Sequence, residues 1–180
     1  MGHPFLGMGL RVRSAGEMGG GRPQTLPVPG KLRIRIATLA ERKGLEELQL
    51  RASLTNEGDR AALLANPDAI AILPDQIAAG RVFVAELNGA TVGFCAIEHR
   101  KDRDIELDAL FTEPDFRRHG VGRFMVAYCA EAARGQGAKA LHVIGNPHAR
   151  DFYLACGFQE TGTCETRFGV GVLMRKELGI

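Results

Sequence analysis

Arg117-Arg118-His119-Gly120-Val121-Gly122 is the run of this chain best suited to hold an anion. Gly120 and Gly122 carry no Cβ, so backbone N–H groups there can approach phosphate oxygens closely. Val121, Phe124, Met125, Tyr128 and Ala132 then recur at helical spacing. The glycines therefore open a helix whose positive dipole end points at the same place. The run is neither a Walker A loop, lacking Gly-Lys-Ser/Thr, nor a GxGxxG turn. Taken alone it reads equally as a phosphate cradle or as a tight turn with solvated arginines.

Three carboxylates form a second constellation. Glu106 and Asp108 lie two apart on one expected strand, hence on one face, and Glu98 ends the neighbouring strand. Any of them could take a proton from an ammonium group, directly or through water. Glu106 is the first candidate base and Glu98 the second; each also reads as a solvated or paired surface group. If they face a site together, their charge favours a cationic partner over an anionic one.

The elements that must position these groups follow from periodicity. Residues 105–112 form an apolar strand that runs into the cradle and ends at Pro114. Upstream, residues 32–37 alternate apolar and basic side chains as a half-exposed strand, and Thr38 caps the approach to a helix near 40–54. A second helix is expected in 59–64, and a helical turn at 75–79 lies between Pro74 and Gly80. Residues 81–86 and 91–98 form a hairpin across Asn88-Gly89.

The helix opened near Gly120 stops at the turn of residues 135–137, and 140–144 is a short apolar strand. Asn146-Pro147 reads as an N-cap with proline at the first helical position, in a helix that runs to about Cys156 and stops at Gly157. Strands at 163–168 and 170–176 close the chain. The alternation in the second half predicts an α/β chain: a mixed, mostly antiparallel sheet with one parallel strand pair, flanked by helices.

Composition bounds the class. At 180 residues and 45% apolar, the chain fills one ordinary domain. Its apolar runs, at 61–73 and 124–133, are interrupted and shorter than the roughly 20 residues of a membrane span, so no membrane partner is expected. Residues 1–30 are rich in Gly and Pro and lack the apolar core of a secretory signal; they read as a flexible tail ahead of a domain at 31–180. Leu6 stands where a myristoylation pattern wants Ser or Thr.

Residues 1–35 hold six cationic side chains against Glu17, and the remainder seventeen against twenty anionic ones. Three dispersed arginines among the glycines of the tail read as solubilising, and no nucleic-acid partner is expected. Cys95, Cys129, Cys156 and Cys164 show no metal-ligand spacing with one another or with the five histidines. They read as reduced thiols of a cytoplasmic protein with no metal.

Two motifs give the cradle its context. Arg117 to Gly122 fits Arg/Gln-x-x-Gly-x-Gly/Ala, preceded by Leu110-Phe111-Thr112-Glu113-Pro114. Asn146-Pro147-His148-Ala149-Arg150-Asp151-Phe152-Tyr153 follows, and then Gly157-Phe158. Together they resemble the two cofactor-binding motifs of the GNAT superfamily of acyltransferases. The hairpin with Gly93-Phe94 also matches in order and spacing, so the resemblance covers residues 31–180.

The resemblance implies the GNAT fold, in which the parallel strands splay apart, with acetyl-CoA or another acyl-CoA as co-substrate between them. Leu110, Phe111 and Thr112 would offer main-chain groups to the pantetheine arm, with a strand N–H near Leu110 polarising the thioester carbonyl. The backbone N–H groups of Arg118, His119, Gly120, Val121 and Gly122 would hold the pyrophosphate, with Arg117 and Arg118 adding charge. Asn146 would cap its helix and touch the cofactor.

The resemblance also places a general-acid tyrosine at Tyr153, where a phenol donates to the thiolate that departs as an amine attacks. Ala149, Phe152, Tyr153 and Cys156 sit at core spacing, so a merely packed tyrosine is the other reading.

The implied reaction is N-acyl transfer, most simply of acetyl, to a small-molecule or peptide amine by direct attack in a ternary complex. The rival is a non-catalytic acyl-CoA-binding sensor or adaptor, and a hydroxyl acceptor would share every motif. Late strands with exposed edges leave a homodimer open.

Overall fold

Seven strands make one sheet: β1 (Leu32–Ile36), β2 (Val82–Leu87), β3 (Ala90–His99), β4 (Ile105–Thr112), β5 (Ala140–Gly145), β6 (Gln159–Thr166) and β7 (Gly169–Glu177), in the spatial order β1-β2-β3-β4-β5-β7-β6. The helices are α1 (Arg42–Leu54), α2 (Glu57–Ala65), α3 (Pro74–Ala78), α4 (Val121–Gly135) and α5 (Arg150–Ala155). This computed structural model describes residues 31–55 and 57–179. The tail expected at 1–30 lies outside the described residues. Among these residues no helix is long and apolar enough to cross a membrane.

Both faces of the sheet are covered, which explains why β2 is buried at every position. Val82 and Val84 join Phe94, Ala96, Ala109 and Phe111 in a core under α1–α3, built on Leu45, Leu48 and Ile77. Phe83, Ala85 and Leu87 join Cys95, Leu107 and Leu110 in a second core under α4 and α5. Every neighbouring pair of strands is antiparallel except β4–β5, which is parallel. The expected mixed sheet with one parallel pair is therefore what forms.

Two expectations are corrected. The buried stripe of α4 is Val121, Met125, Val126, Cys129, Ala130 and Ala133, so Phe124 is exposed and Ala132 only half-buried. The bulk of Phe124 pulls a periodicity count one position off the alanine-rich face that packs on the sheet. β6 begins at Gln159, four residues before the expected start. It is an edge strand with polar side chains on both faces, so pairing with β7, rather than an apolar pattern, defines it.

The phase of β4 changes midway. Ala96 pairs with Ala109 but Ile97 pairs with Leu107, so Asp108 is an extra residue on β4, a bulge. Ile105 and Leu107 point to the α4 core, whereas Ala109 and Phe111 point to the α1–α3 core. Gly93 sits where β3 meets the upper part of β4. A Cβ there would lie 2.7 Å from the Phe111 carbonyl oxygen and 3.0 Å from Met125 Cε, so only glycine fits this approach.

Candidate active site

The site is built around a gap in the sheet. β4 and β5 pair only at Ile105 with Leu141 and Glu106 with His142. Beyond that point β4 continues along β3 and β5 along β7, so the parallel strands part into a V. Main-chain groups of residues 107–112 that face β5 leave that ladder, and a strand-like ligand can take their hydrogen bonds.

The cradle lies past the end of β4. Arg117 is extended (φ −63°, ψ 145°), Arg118 takes a left-handed conformation (φ 66°), and Gly120, also left-handed (φ 85°), precedes the first turn of α4. A Cβ on Gly120 would meet no atom of the described residues within 4 Å, which leaves the space before the helix N-terminus open among them. Arg118, His119 and Gly120 are exposed at this mouth.

The two arginines part company. Arg118 is free to reach an anion, but Arg117 Nη2 donates to the Ala52 carbonyl in the last turn of α1 at 2.7 Å. Its charge faces the negative end of that helix, and the contact anchors the loop to α1. Arg51 and Glu113 form a second tie between α1 and the same loop, at 2.5 Å.

Tyr153 is fully buried, edge-on to Phe152 at 5.1 Å and to Phe158 at 5.4 Å. Its ring lies against the last residue of β5, since a Cβ on Gly145 would come within 3.2 Å of Tyr153 Cε2. Its hydroxyl is buried without a hydrogen-bond partner among the described residues. Burial, with smaller effects of Cys156 and Cys129, pushes its pKa well above the usual value, so the group is an acid that holds its proton. Thr112, at the end of β4, also buries a hydroxyl without a partner among the described residues.

The carboxylates share the α1–α3 face. Glu98 and Glu106 are opposite one another on β3 and β4. Gln76 Nε2 donates to Glu98 Oε1 at 2.8 Å and to Asp108 Oδ2 at 3.0 Å, Arg81 pairs with Glu98, and Arg100 Nη1 meets Glu106 Oε2 at 2.9 Å. The paired reading therefore describes their resting state. Gln76, Arg81 and Arg100 escaped the sequence reading; the one hint was an amide on the buried side of the short helix behind Pro74. Asn146 caps as expected, its Oδ1 accepting from His148 N–H at 3.0 Å.

Residues 78–160 match the family model of the acetyltransferase (GNAT) domain. An uncharacterized N-acetyltransferase of Methanocaldococcus jannaschii is 33% identical over 87 residues, 43% of this chain and 38% of that protein, so the match spans well under half of the curated relative. The PaiA N-acetyltransferase of Thermoplasma acidophilum, solved with coenzyme A, superposes with a TM-score of 0.67 at 15% identity, over 82% of this chain and 99% of that one. YncA of Salmonella typhimurium, a putative acetyltransferase solved with acetyl-CoA, gives 0.62 at 19% identity, over 83% and 95%.

The class is thus defined: the sheet with its parted parallel pair has the GNAT architecture. The stretch that matches the family model, residues 78–160, carries the V, the cradle and Tyr153.

Proposed function

We propose that this chain is an acyl-CoA-dependent N-acyltransferase that moves acetyl from acetyl-CoA to an amine by direct attack in a ternary complex. The observation that carries this reading is the buried, unpartnered hydroxyl of Tyr153 beside the strand that borders the V. A hydroxyl buried without a partner costs about 1–3 kcal/mol, a cost relieved as charge develops on a departing sulfur in the V. The open mouth at Gly120 and the parted strands fit the phosphates and the amide arm of CoA in the same way.

Acetyl-CoA supplies an activated acyl group on a thiolate leaving group. The backbone N–H groups of residues 118–122, with the Arg118 side chain, hold its pyrophosphate at the start of α4. The main chain of Leu110, Phe111 and Thr112 lines the arm, and a strand N–H near Leu110 polarises the reacting carbonyl. Tyr153 donates its proton toward the departing sulfur, and Asn146 flanks the arm from the start of the last helical segment. Glu106, or Glu98 in its place, receives the ammonium proton through water once its arginine yields. Close placement of amine against thioester supplies much of the rate.

The domain extends over residues 31–180 with 1–30 as a tail, and the four cysteines act as reduced thiols, which suits the cytoplasm. The ion pairs on both candidate bases favour a second reading, a CoA-binding sensor that transfers nothing. Tyr153→Phe separates the two. The enzyme loses turnover on the order of a hundredfold, measured as thiol release with an amine panel, and keeps its CoA affinity. Thermal shifts with CoA, acetyl-CoA, longer acyl-CoAs, ATP and NAD come first, since only a ligand of the folded state raises the melting temperature. No shift with any CoA species sinks both readings.

A further inference from the structure

Asp104, the residue just before β4, governs the point at which the V closes. Its Oδ1 accepts from the backbone N–H of Lys139 at 2.9 Å and of Ala140 at 3.0 Å, and its Oδ2 lies 3.0 Å from His142 Nε2. One largely buried carboxylate thus holds the start of β5 at three points. Directly above it, two residue pairs make up the entire β4–β5 ladder. A parallel ladder this short specifies register weakly by itself, and a charged acceptor with two N–H donors contributes more than either rung.

The loop around this clasp is braced from the other side. Asp102 Oδ1 accepts from Asp104 N–H at 3.1 Å and its Oδ2 pairs with Arg100 at 3.1 Å, while Arg100 also holds Glu106 at 2.9 Å. Burial alone would raise the pKa of Asp104, but His142 and the two backbone donors outweigh it and keep the group ionised. The clasp therefore connects the closed end of the V to the carboxylate proposed as base.

We infer that Asp104 is a positioning residue for the donor slot: by fixing the register and the parting point of β4 and β5, it sets the gap that takes the pantetheine arm. This rests on the reading that CoA occupies the V. Asp104 touches neither donor nor acceptor in that arrangement; it acts through Lys139, Ala140 and His142.

The test is calorimetric titration of the full chain with CoA and, in parallel, with 3′-phospho-ADP, which carries the nucleotide phosphates but no arm. Asp104→Ala is expected to weaken CoA at least about tenfold while leaving the affinity for 3′-phospho-ADP unchanged. Asp104→Asn should restore most of the loss, because its amide oxygen still accepts from Lys139 and Ala140. If Asp104→Ala does not fold, His142→Leu removes one contact of the three and should give the same selective loss at smaller size. Equal weakening of both ligands, or of neither, overturns the inference. A wild-type chain that binds 3′-phospho-ADP and CoA equally, or neither, overturns the reading beneath it and the inference with it.

Discussion

The hydroxyl of Tyr153 has no acceptor among the described residues, and its removal therefore breaks no hydrogen bond there. Tyr153→Phe should melt at the same temperature as the wild type or slightly higher, even as turnover collapses. A tyrosine kept for packing alone would show the same melting behaviour without the collapse, so kinetics beside calorimetry on one variant separates the two roles. Glu41 shows the opposite situation, a carboxylate rich in partners. The Arg35 guanidinium holds its pKa down to about 2 from the ordinary 4.5, against the effect of burial and with help from the N–H and hydroxyl of Thr38.

Because the folded value of Glu41 is the lower one, its stabilisation is complete above pH 4.5 and drains away as the pH falls toward about 2. Glu41→Gln should flatten that part of the melting-temperature profile. A profile parallel to the wild type across the window would refute the assignment. Arg35 also bonds Glu86 on β2, so this pair of acids ties the edge strand β1 and the approach to α1 to the rest of the sheet.

Among the elements, the turn into α4 is where stability and binding can be set apart. Gly120→Ala places a Cβ on a left-handed residue, a strain of roughly 1–2 kcal/mol, but meets no atom of the described residues within 4 Å. The same Cβ projects into the mouth of the cradle. The variant should lose only a few degrees of melting temperature while its CoA affinity falls at least about tenfold. Affinity that follows stability alone would show that the phosphates bind elsewhere.

This part of the molecule was legible in the sequence because strand, turn, glycines and helix follow one another without a gap, and the boundaries of β4 were read correctly. The carboxylate network was not. Gln76, Arg81 and Arg100 reach Glu98, Asp108 and Glu106 from separate elements, and no local pattern marks a contact made across the sheet. Arg117 shows a different limit. A motif position states that an arginine belongs there, but its guanidinium is drawn by the nearest strong acceptor, here the C-terminal end of α1.

At the scale of the whole molecule, the two cores lie on opposite faces of the sheet and the V is the seam between its two parts. On the function proposed above, a donor threading the seam from the α4 side would meet an acceptor held near the carboxylates on the α1–α3 side, each substrate against its own core. One parallel pair in an otherwise antiparallel sheet was implied by the alternation of helices and strands; the order that puts β1–β4 on one side of the seam and β5, β7 and β6 on the other is seen only in the structure. The extent of the parting was not implied either, since it depends on how few residues of β4 and β5 pair.

The seam also falls in order along the chain, and this makes the molecule divisible. Cut in the turn of residues 135–137, it would yield a four-stranded fragment carrying α4 and a three-stranded fragment carrying α5, meeting at two rungs, the Asp104 clasp and the underside of α4. CoA lodged between them would act as mortar, gripping both fragments at once. Halves produced separately should therefore reassemble more tightly when CoA is added, and a reassembly indifferent to CoA would mean that the ligand sits on one half alone.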